Sequence, residues 1–285
     1  IGGTVGDIES LPFLEAVRQV IYEEGPENSM VIHLTLIPFL SATGELKTKP
    51  TQHSVKELRS LGISPDVLVC RSEQELPKDE KNKIALFCSV PAKSVISMHD
   101  VDTVYSIPIL LNKQKVDDTI LKKLNLKIKK PNLNDWKRVV KAKLLPEKEV
   151  NVSYVGKYTE LKDSYKSINE ALEHAGIQNK AKVNINFVEA EQITSKNVRR
   201  VLKKSDAILV PGGFGERGIE GMILACKYAR ENNVPYLGIC LGMQIAIIEY
   251  ARNVLKLKSA NSTEFDSCLL YTSDAADERS SVDLG

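Results

Sequence analysis

The 285-residue sequence lacks the features that mark membrane proteins and nucleic-acid-binding proteins. No apolar run approaches the roughly 20 residues that a membrane-spanning helix needs, and no charged-then-apolar leader is present. The 39 basic and 37 acidic residues leave a net charge of only +2. Because such a balance gives little long-range attraction to polyanions, we expect neither nucleic acid nor a membrane among the partners.

Paired cysteines are also missing. The five cysteines form no C-x-x-C pair, and their number is odd. This usage is typical of a reducing compartment, so we expect a cytoplasmic protein with one thiol that could be reactive. No run of ligating residues has the spacing of a metal site, and we predict none.

The sequence contains no phosphate-binding G-x-x-x-x-G-K-[ST] loop. It opens on a glycine-rich turn, "GGTVGDIES", without the strand that normally precedes one. From Ser267 onward, neither helical nor strand periodicity persists. We therefore expect a chain that begins within a domain and carries an unrelated tail at 267–285.

Regular alternation of strands and helices fills residues 149–266. Strands are predicted in "VNVSYVGKY", "KVNINFVEA", "AILV" and "PYLGI", with helices between and after them. This order predicts an open parallel sheet with helices on both faces. The first helix should end at Gly176, and the second should be capped by Thr194 or Ser195. The inward helical positions should be Tyr165, Ile168, Leu172, Ala175, Val198, Val201 and Leu202.

Residues 1–127 are also mixed α/β, but less regular. Helices are predicted in "PFLEAVRQVIYEE" and "SVKELRSLG", and strands in "MVIHLTLIP" and "DVLVCRS". A lysine-rich stretch at 128–148 holds the only tryptophan, Trp136, and one short helix. We predict that it links the two domains.

The segment "VPYLGICLGMQIAII" places Cys240 between an apolar strand and an amphipathic helix. Gly238 and Gly242 complete G-x-C-x-G, the cysteine form of a nucleophile elbow, in which a strained turn lifts the central residue above a helix N-terminus. A thiolate there is favoured by the helix dipole. On the pentapeptide alone, a buried structural cysteine is the more frequent explanation.

A second glycine-rich turn, "PGGFGERG", follows strand "AILV". Alone it would be an ordinary turn. Carboxyl ends of parallel strands share one edge of a sheet, where ligands bind, so both turns are expected there. Paired glycines allow backbone amides to approach a developing oxyanion, and the two turns together favour a catalytic cysteine.

These runs resemble the CTP synthase family. "PGGFGERGIEGM", "PYLGICLGMQ" and "NSTEF" are similar to its class I glutamine amidotransferase domain, and "GGTVGDIESLPFLEA" and "GELKTKPTQHS" to its synthetase domain. The implied fold is a truncated P-loop-type amidoligase domain followed by an incomplete, doubly wound parallel-sheet amidotransferase domain. The implied activity is ATP-dependent amination of UTP to CTP with ammonia from glutamine, with Mg²⁺ required, GTP as activator and a homotetrameric assembly.

The resemblance also implies roles for individual residues. Cys240 would be the nucleophile, and the glutamine site would be lined by Gly213, Leu241, Gly242, Met243, Gln244 and Glu264. The pyrimidine nucleotides CTP and UTP would contact Asp7, Ile8, Glu9, Lys47, Thr48, Lys49, Pro50, Thr51, Gln52 and Lys83. ATP would contact His99, Asp100 and Val101. Read without the family, the lysines would form a solvated basic loop, and Asp7 or Ser10 would cap a helix.

One family element is missing. The family's glutaminase uses a histidine and a glutamate downstream of the cysteine, whereas His33, His53, His99 and His174 all precede Cys240. We therefore expect the general base to lie outside this chain, and the chain alone to be inactive. A different glutamine-dependent synthetase, or an inactive nucleotide-binding or scaffold paralogue, remains an alternative.

Overall fold

The computed structural model describes residues 5–42, 44–127, 130–157, 165–213 and 215–265. It divides into two compact units, Ile1–Leu144 (unit 1) and Leu145–Gly285 (unit 2). The predicted boundaries at 127, 148 and 266 remain predictions. The predicted tail at 267–285 lies outside the described residues.

Unit 1 is built on a parallel sheet in which β4 lies between β1 and β5. A small antiparallel hairpin, β2 with β3, follows β1. The elements in chain order are α1 (Leu11–Glu24), β1 (Ile32–Leu36), β2 (Phe39–Leu40), β3 (Glu45–Leu46), α2 (Lys49–Ser60), β4 (Val67–Ser72), α3 (Lys78–Cys88), β5 (Val95–His99), α4 (Ile107–Lys113), α5 (Val116–Lys123) and α6 (Asn134–Leu144).

The sheet of unit 1 buries apolar side chains on both faces. Leu68 and Cys70 of β4 pack with α2 and α3, whereas Val67 and Ile96 pack with Val116 of α5. β1 pairs with β4 on one side, and its Ile32, Leu34 and Leu36 are exposed (47, 66 and 60%). Within the described residues, β1 therefore forms one edge of this sheet and leaves apolar surface exposed.

Helix α6 lies in the predicted linker and contacts unit 1. The Trp136 indole N–H donates to the carbonyl of Tyr105, in the turn that precedes α4. The one tryptophan therefore reports on unit 1.

Unit 2 confirms the predicted open parallel sheet. Its strand order is β7-β6-β8-β9, and every neighbouring pair is parallel. The elements are β6 (Lys148–Gly156), α7 (Lys166–Gln178), β7 (Ala181–Glu189), α8 (Val198–Leu202), β8 (Ala207–Val210), α9 (Ile219–Glu231), β9 (Tyr236–Gly238) and α10 (Leu241–Asn253). The chain winds outward in both directions from β6, so β6 and β8 flank the crevice where such folds bind ligands.

Helices cover both faces of this sheet. Tyr154 and Leu209 pack with α7, whereas Val155 and Val210 pack with α8, α9 and α10. The predicted inward positions of the first two helices are confirmed at Tyr165, Ile168, Leu172, Val198, Val201 and Leu202. The prediction for Ala175 is wrong: Ala175 is exposed, and Gly176 is the buried residue at this end of α7.

Two predicted helix boundaries are wrong. Helix α7 continues through Gly176, which instead allows close helix–strand packing: a methyl group there would lie 2.6 Å from the carbonyl oxygen of Ala181. Helix α8 begins after Asn197, not Thr194 or Ser195. The Asn197 side chain accepts from the Thr194 amide, so it closes the turn before the helix.

Within the described ranges, no helix combines the length and the apolar character that crossing a bilayer requires.

Candidate functional site

Cys240 lies at a sharp turn between β9 and α10. Its φ of 51° and ψ of −104° are unfavourable for a residue with a side chain, and such strain is concentrated at functional sites. A methyl group on Gly238 would lie 2.3 Å from the Gly242 carbonyl, and one on Gly242 would lie 2.1 Å from the Val210 carbonyl. The predicted elbow is confirmed, because no side chain fits at either flanking position.

The glycine-rich turn after β8 lies beside this elbow. A methyl group on Gly212 would lie 3.6 Å from Cβ of Cys240, and one on Gly213 would lie 3.3 Å from the Leu241 side chain. Leu241 is the first residue of α10, so its amide N–H has no carbonyl acceptor within the helix. The two predicted turns therefore meet at one edge of the sheet, with Gly212 against Cys240 and Gly213 against the Leu241 side chain.

Cys240 is exposed, whereas Cys70, Cys88 and Cys226 are buried. Burial raises the pKa of the Cys70 thiol and of the Cys226 thiol to about 11, which keeps both protonated and unreactive at neutral pH. The interpretation of Cys240 as a buried structural cysteine is wrong.

A side-chain network holds the segment after α10 against the elbow. Gln244 donates to the Glu264 carboxylate (2.9 Å) and accepts from the Ser262 hydroxyl (2.8 Å). Arg252 donates to the Ala260 carbonyl (2.6 Å), and Phe265 packs on the core. The predicted partners Gln244 and Glu264 are thus brought together one helical turn from Cys240. Met243 is exposed beside them.

Sequence reasoning missed Lys157, which follows β6 directly. Its side chain is buried (4% exposed), and its ammonium donates to the Gly215 carbonyl (2.5 Å). The available signal was a lysine at the carboxyl end of the central strand, directly after "VSYVG".

The histidine of unit 2, His174, does not lie at this site. It is on α7, which packs on the opposite sheet face from α10, and its partner is Glu170 (3.9 Å). Within the described part of unit 2, no imidazole adjoins Cys240.

In unit 1, the predicted nucleotide-contacting residues share the carboxyl edge of the sheet. Helices α2 and α3 follow β1 and β4, so their N-termini lie at the carboxyl ends of those strands. Lys49, Pro50 and Gln52 are in the first turn of α2, which begins five residues before the helix predicted in "SVKELRSLG". Thr48 and Thr51 are buried, and the Thr51 hydroxyl donates to Thr35 and to the Leu36 carbonyl.

Lys47 and Lys83 also lie near one another at this edge. The Lys47 ammonium is 2.5 Å from the Glu45 carboxylate, and its hydrogen bond and charge lower the pKa of that carboxyl. The charge of Lys83, on α3, lowers the same pKa further, although Lys83 also pairs with Glu80 (3.5 Å).

Asp7, Ile8 and Glu9 precede α1 in a 3-10 turn. The predicted capping of α1 is wrong: Ser10 occupies the cap position, but its hydroxyl donates back to the Asp7 carbonyl instead of accepting from the helix. Ser10 and Pro50 line one cleft of about 920 Å³, so this turn and the start of α2 adjoin.

His99, Asp100 and Val101 end β5 and enter the loop after it. Nδ1 of His99 is buried and has no hydrogen-bond partner, so it is available to a ligand at this edge. Asp100 lies 3.9 Å from Arg71, an exposed and weak pair. In the ranges that the structure describes, no three His, Cys, Asp or Glu side chains cluster as a metal site.

A doubly wound parallel sheet with a cysteine elbow beside a second glycine-rich turn is the architecture of a class I glutamine amidotransferase domain. Residues 160–276 match the family "Glutamine amidotransferase class-I", and residues 1–126 match "CTP synthase N-terminus". The chain belongs to the CTP synthase family.

A curated relative agrees with both matches. The CTP synthase of Caldanaerobacter subterraneus subsp. tengcongensis is 59% identical over 266 residues, which cover 93% of this chain and 50% of that protein. The chain thus spans about half the length of this relative. Among solved structures, the glutaminase domain of Trypanosoma brucei CTPS with bound acivicin is 40% identical, covers 43% of this chain and 48% of that one, and has a TM-score of 0.41.

Proposed function

We propose that unit 2 takes ammonia from glutamine through a thioester on Cys240. The carrying observation is the contact between the strained, exposed Cys240 turn and the Gly212–Gly213 turn. Gln244 and Glu264 lie beside them, where a carboxylate suits the α-ammonium of an amino acid.

The chemistry follows from these positions. The Cys240 thiolate attacks the amide carbon of the glutamine side chain, and the electron pair of the carbonyl moves onto its oxygen. Backbone amides of Gly213 and Leu241 stabilise that oxyanion. The amide nitrogen gains a proton, the oxyanion collapses and the C–N bond breaks, which releases ammonia and leaves the thioester. Water then loses a proton as it attacks the thioester, and the C–S bond breaks to release glutamate and the thiolate. Both proton transfers need a general acid–base, which we place outside this chain, so the chain alone is proposed to be inactive.

We propose that unit 1 contributes the nucleotide sites of the complete enzyme. Lys47 to Gln52, Lys83 and the Asp7–Glu9 turn would hold the triphosphate and base of UTP or CTP. His99 to Val101 would contact the adenine of ATP. ATP would phosphorylate the uracil 4-oxygen, and ammonia would then displace that phosphate to give CTP.

Further properties are proposed from the family alone. They are a Mg²⁺ requirement, activation by GTP, assembly as a homotetramer and a cytoplasmic location. We assign no chemical step of this chain to the metal.

Cys240→Ala in the full gene product tests the assignment. CTP formation from glutamine should fall to background, whereas CTP formation from added ammonium salt should stay within about twofold of wild type, because ammonia bypasses the thioester. Measuring both rates in one preparation provides the internal control. Equal loss of both reactions would refute the role of Cys240.

A nucleotide-binding protein without glutaminase chemistry is the second candidate, favoured by the distance of His174 from the elbow. It predicts that the full gene product binds UTP yet forms no CTP from glutamine or from ammonia.

A further inference from the structure

Lys157 is a buried charge that the proposed chemistry has not used. Its side chain is 4% exposed, although lysines are rarely buried unless paired. Burial lowers the pKa of its ammonium, and the nearby Glu264 and Glu191 carboxylates partly oppose that effect. Burying an ammonium group costs free energy, so its position in the fold has to be explained by the interactions that it makes there.

The contacts of Lys157 join the central strand to the glycine-rich turn. Its ammonium donates to the carbonyl of Gly215, five residues beyond the end of β8, the strand next to β6. Its own carbonyl accepts from the Tyr165 hydroxyl, which fixes its backbone. A methyl group on Gly156 would lie 3.2 Å from the Pro211 ring, so the two strand ends are already in contact there.

The glycine-rich turn needs such a restraint. At the elbow, methyl groups on Gly238 and Gly242 would collide with backbone, so packing fixes that turn. At Gly215, φ is +76° and a methyl group would meet nothing within 4 Å. A segment with three glycines in four positions has high backbone freedom, and steric contact at Gly215 does not limit it.

We propose that Lys157 is a positioning residue for the oxyanion loop. By holding the Gly215 carbonyl, its ammonium keeps the Gly213 amide in place beside Cys240, and it adds positive charge next to the developing oxyanion. This inference rests on the proposed glutaminase function. It assigns the preorganisation of the loop to one buried side chain directly after β6, and not to the loop's own packing.

The test compares two reactions of the same thiol in the 285-residue chain. With the γ-p-nitrophenyl ester of glutamate, the Cys240 thiolate attacks the γ-carbonyl carbon, an oxyanion forms, and the C–O bond then breaks to release p-nitrophenolate with its electron pair. This leaving group needs no proton, so the missing general acid is not required. With iodoacetamide, the thiolate displaces iodide from a CH₂ group and no oxyanion forms.

The ratio of the acylation rate to the alkylation rate isolates the oxyanion loop, because both rates depend equally on folding and on thiol exposure. Lys157→Met should lower this ratio about 10- to 100-fold, which corresponds to misplacing an oxyanion donor. Lys182→Met, which removes an exposed lysine paired with Glu149, is the matched control and should leave it unchanged. An unchanged ratio in Lys157→Met overturns the inference.

A measurement on the unsubstituted chain covers the case in which Lys157→Met does not fold. The groups whose charges act on Lys157 are Glu264, Arg217 and Glu191, and Tyr165 contacts its backbone. Both rates are proportional to the fraction of Cys240 that is thiolate, so the pH dependence of that fraction cancels from the ratio of acylation to alkylation. Deprotonation of the Lys157 ammonium should therefore lower this ratio as the pH rises. A ratio that stays level into the alkaline range overturns the inference.

The same experiment separates this inference from the proposed function. If Cys240→Ala releases p-nitrophenolate as fast as the unsubstituted chain, the nucleophile assignment has failed. If only the Lys157 comparisons show no change, the nucleophile stands and the positioning role fails.

Discussion

The two units present their candidate sites by different physical means. In unit 2, the site is fixed by backbone contacts: a methyl group on Gly238, Gly242 or Gly221 would lie about 2 Å from a carbonyl oxygen. In unit 1, the charged part of the candidate site consists of solvent-accessible side chains, with Lys47 and Lys83 near one acidic residue, Glu45. Close backbone contacts allow only glycine at each of these positions. A charged site, in contrast, needs only a suitable total charge, which several residues share.

This difference predicts how each unit responds to substitution. Removing steric room in unit 2 should damage the fold itself, because the same contacts that hold Cys240 also join β8 to α10. Removing one charge in unit 1 should leave the fold intact and change only ligand affinity. The predictions below begin with the largest expected effect.

Gly242→Ala should destabilise unit 2 by about 4 kcal/mol or more, because the added methyl group would lie 2.1 Å from the Val210 carbonyl and cannot be accommodated without moving β8 or α10. Urea unfolding followed by far-UV circular dichroism measures both units. Trp136 fluorescence follows unit 1 and should be unaffected.

Gly44→Ala in unit 1 is the matched control. Gly44 has φ +67° but open space around it, so the cost should be about 1 kcal/mol of backbone strain. If Gly242→Ala costs no more than Gly44→Ala, then the elbow is not held by packing and the comparison between the units fails.

Arg230→Met should cost unit 2 about 3 kcal/mol. The Glu249 carboxylate is 1% exposed and accepts three hydrogen bonds from Arg230, so loss of the guanidinium leaves a buried unpaired charge. Replacing both residues by Met should recover most of the loss, since the buried charge is then removed as well. The measurement is the free energy of unfolding of unit 2.

The control is Arg138→Met in unit 1, where the pair with Asp135 is 81 and 89% exposed and should contribute under about 0.5 kcal/mol. A double substitution no more stable than Arg230→Met alone would show that the loss does not come from the unpaired charge.

The sheet of unit 2 and its elbow could be predicted from sequence because local patterns specify both. Period-two strands, helices between them and G-x-C-x-G each depend on a few adjacent residues. The proximity of the two glycine-rich turns followed from the rule that parallel strands end at one edge. Gly176 was misread because a glycine that admits a close strand looks the same in sequence as one that ends a helix.

Lys157 and the Ser262–Gln244–Glu264 network could not be predicted in this way. Their partners are 58, 18 and 20 residues away in sequence, and each contact depends on how the chain returns to the sheet edge. In unit 1, the 3-10 turn before α1 and the hairpin of β2 and β3 were missed because segments of two or three residues carry no periodicity.

The smallest effect is expected at the nucleotide edge of unit 1. Lys47→Gln should weaken UTP binding about tenfold, or about 1.4 kcal/mol, and Lys83→Gln should weaken it less, since Lys83 also pairs with Glu80. Calorimetric titration of the full gene product at two salt concentrations measures both affinities, and the effect should shrink at high salt because exposed charges are screened.

Lys122→Gln is the control, because Lys122 lines the cleft near Pro65 and Ser94, at the amino ends of β4 and β5. Equal loss from all three substitutions would mean that net charge, and not the carboxyl edge, attracts the nucleotide.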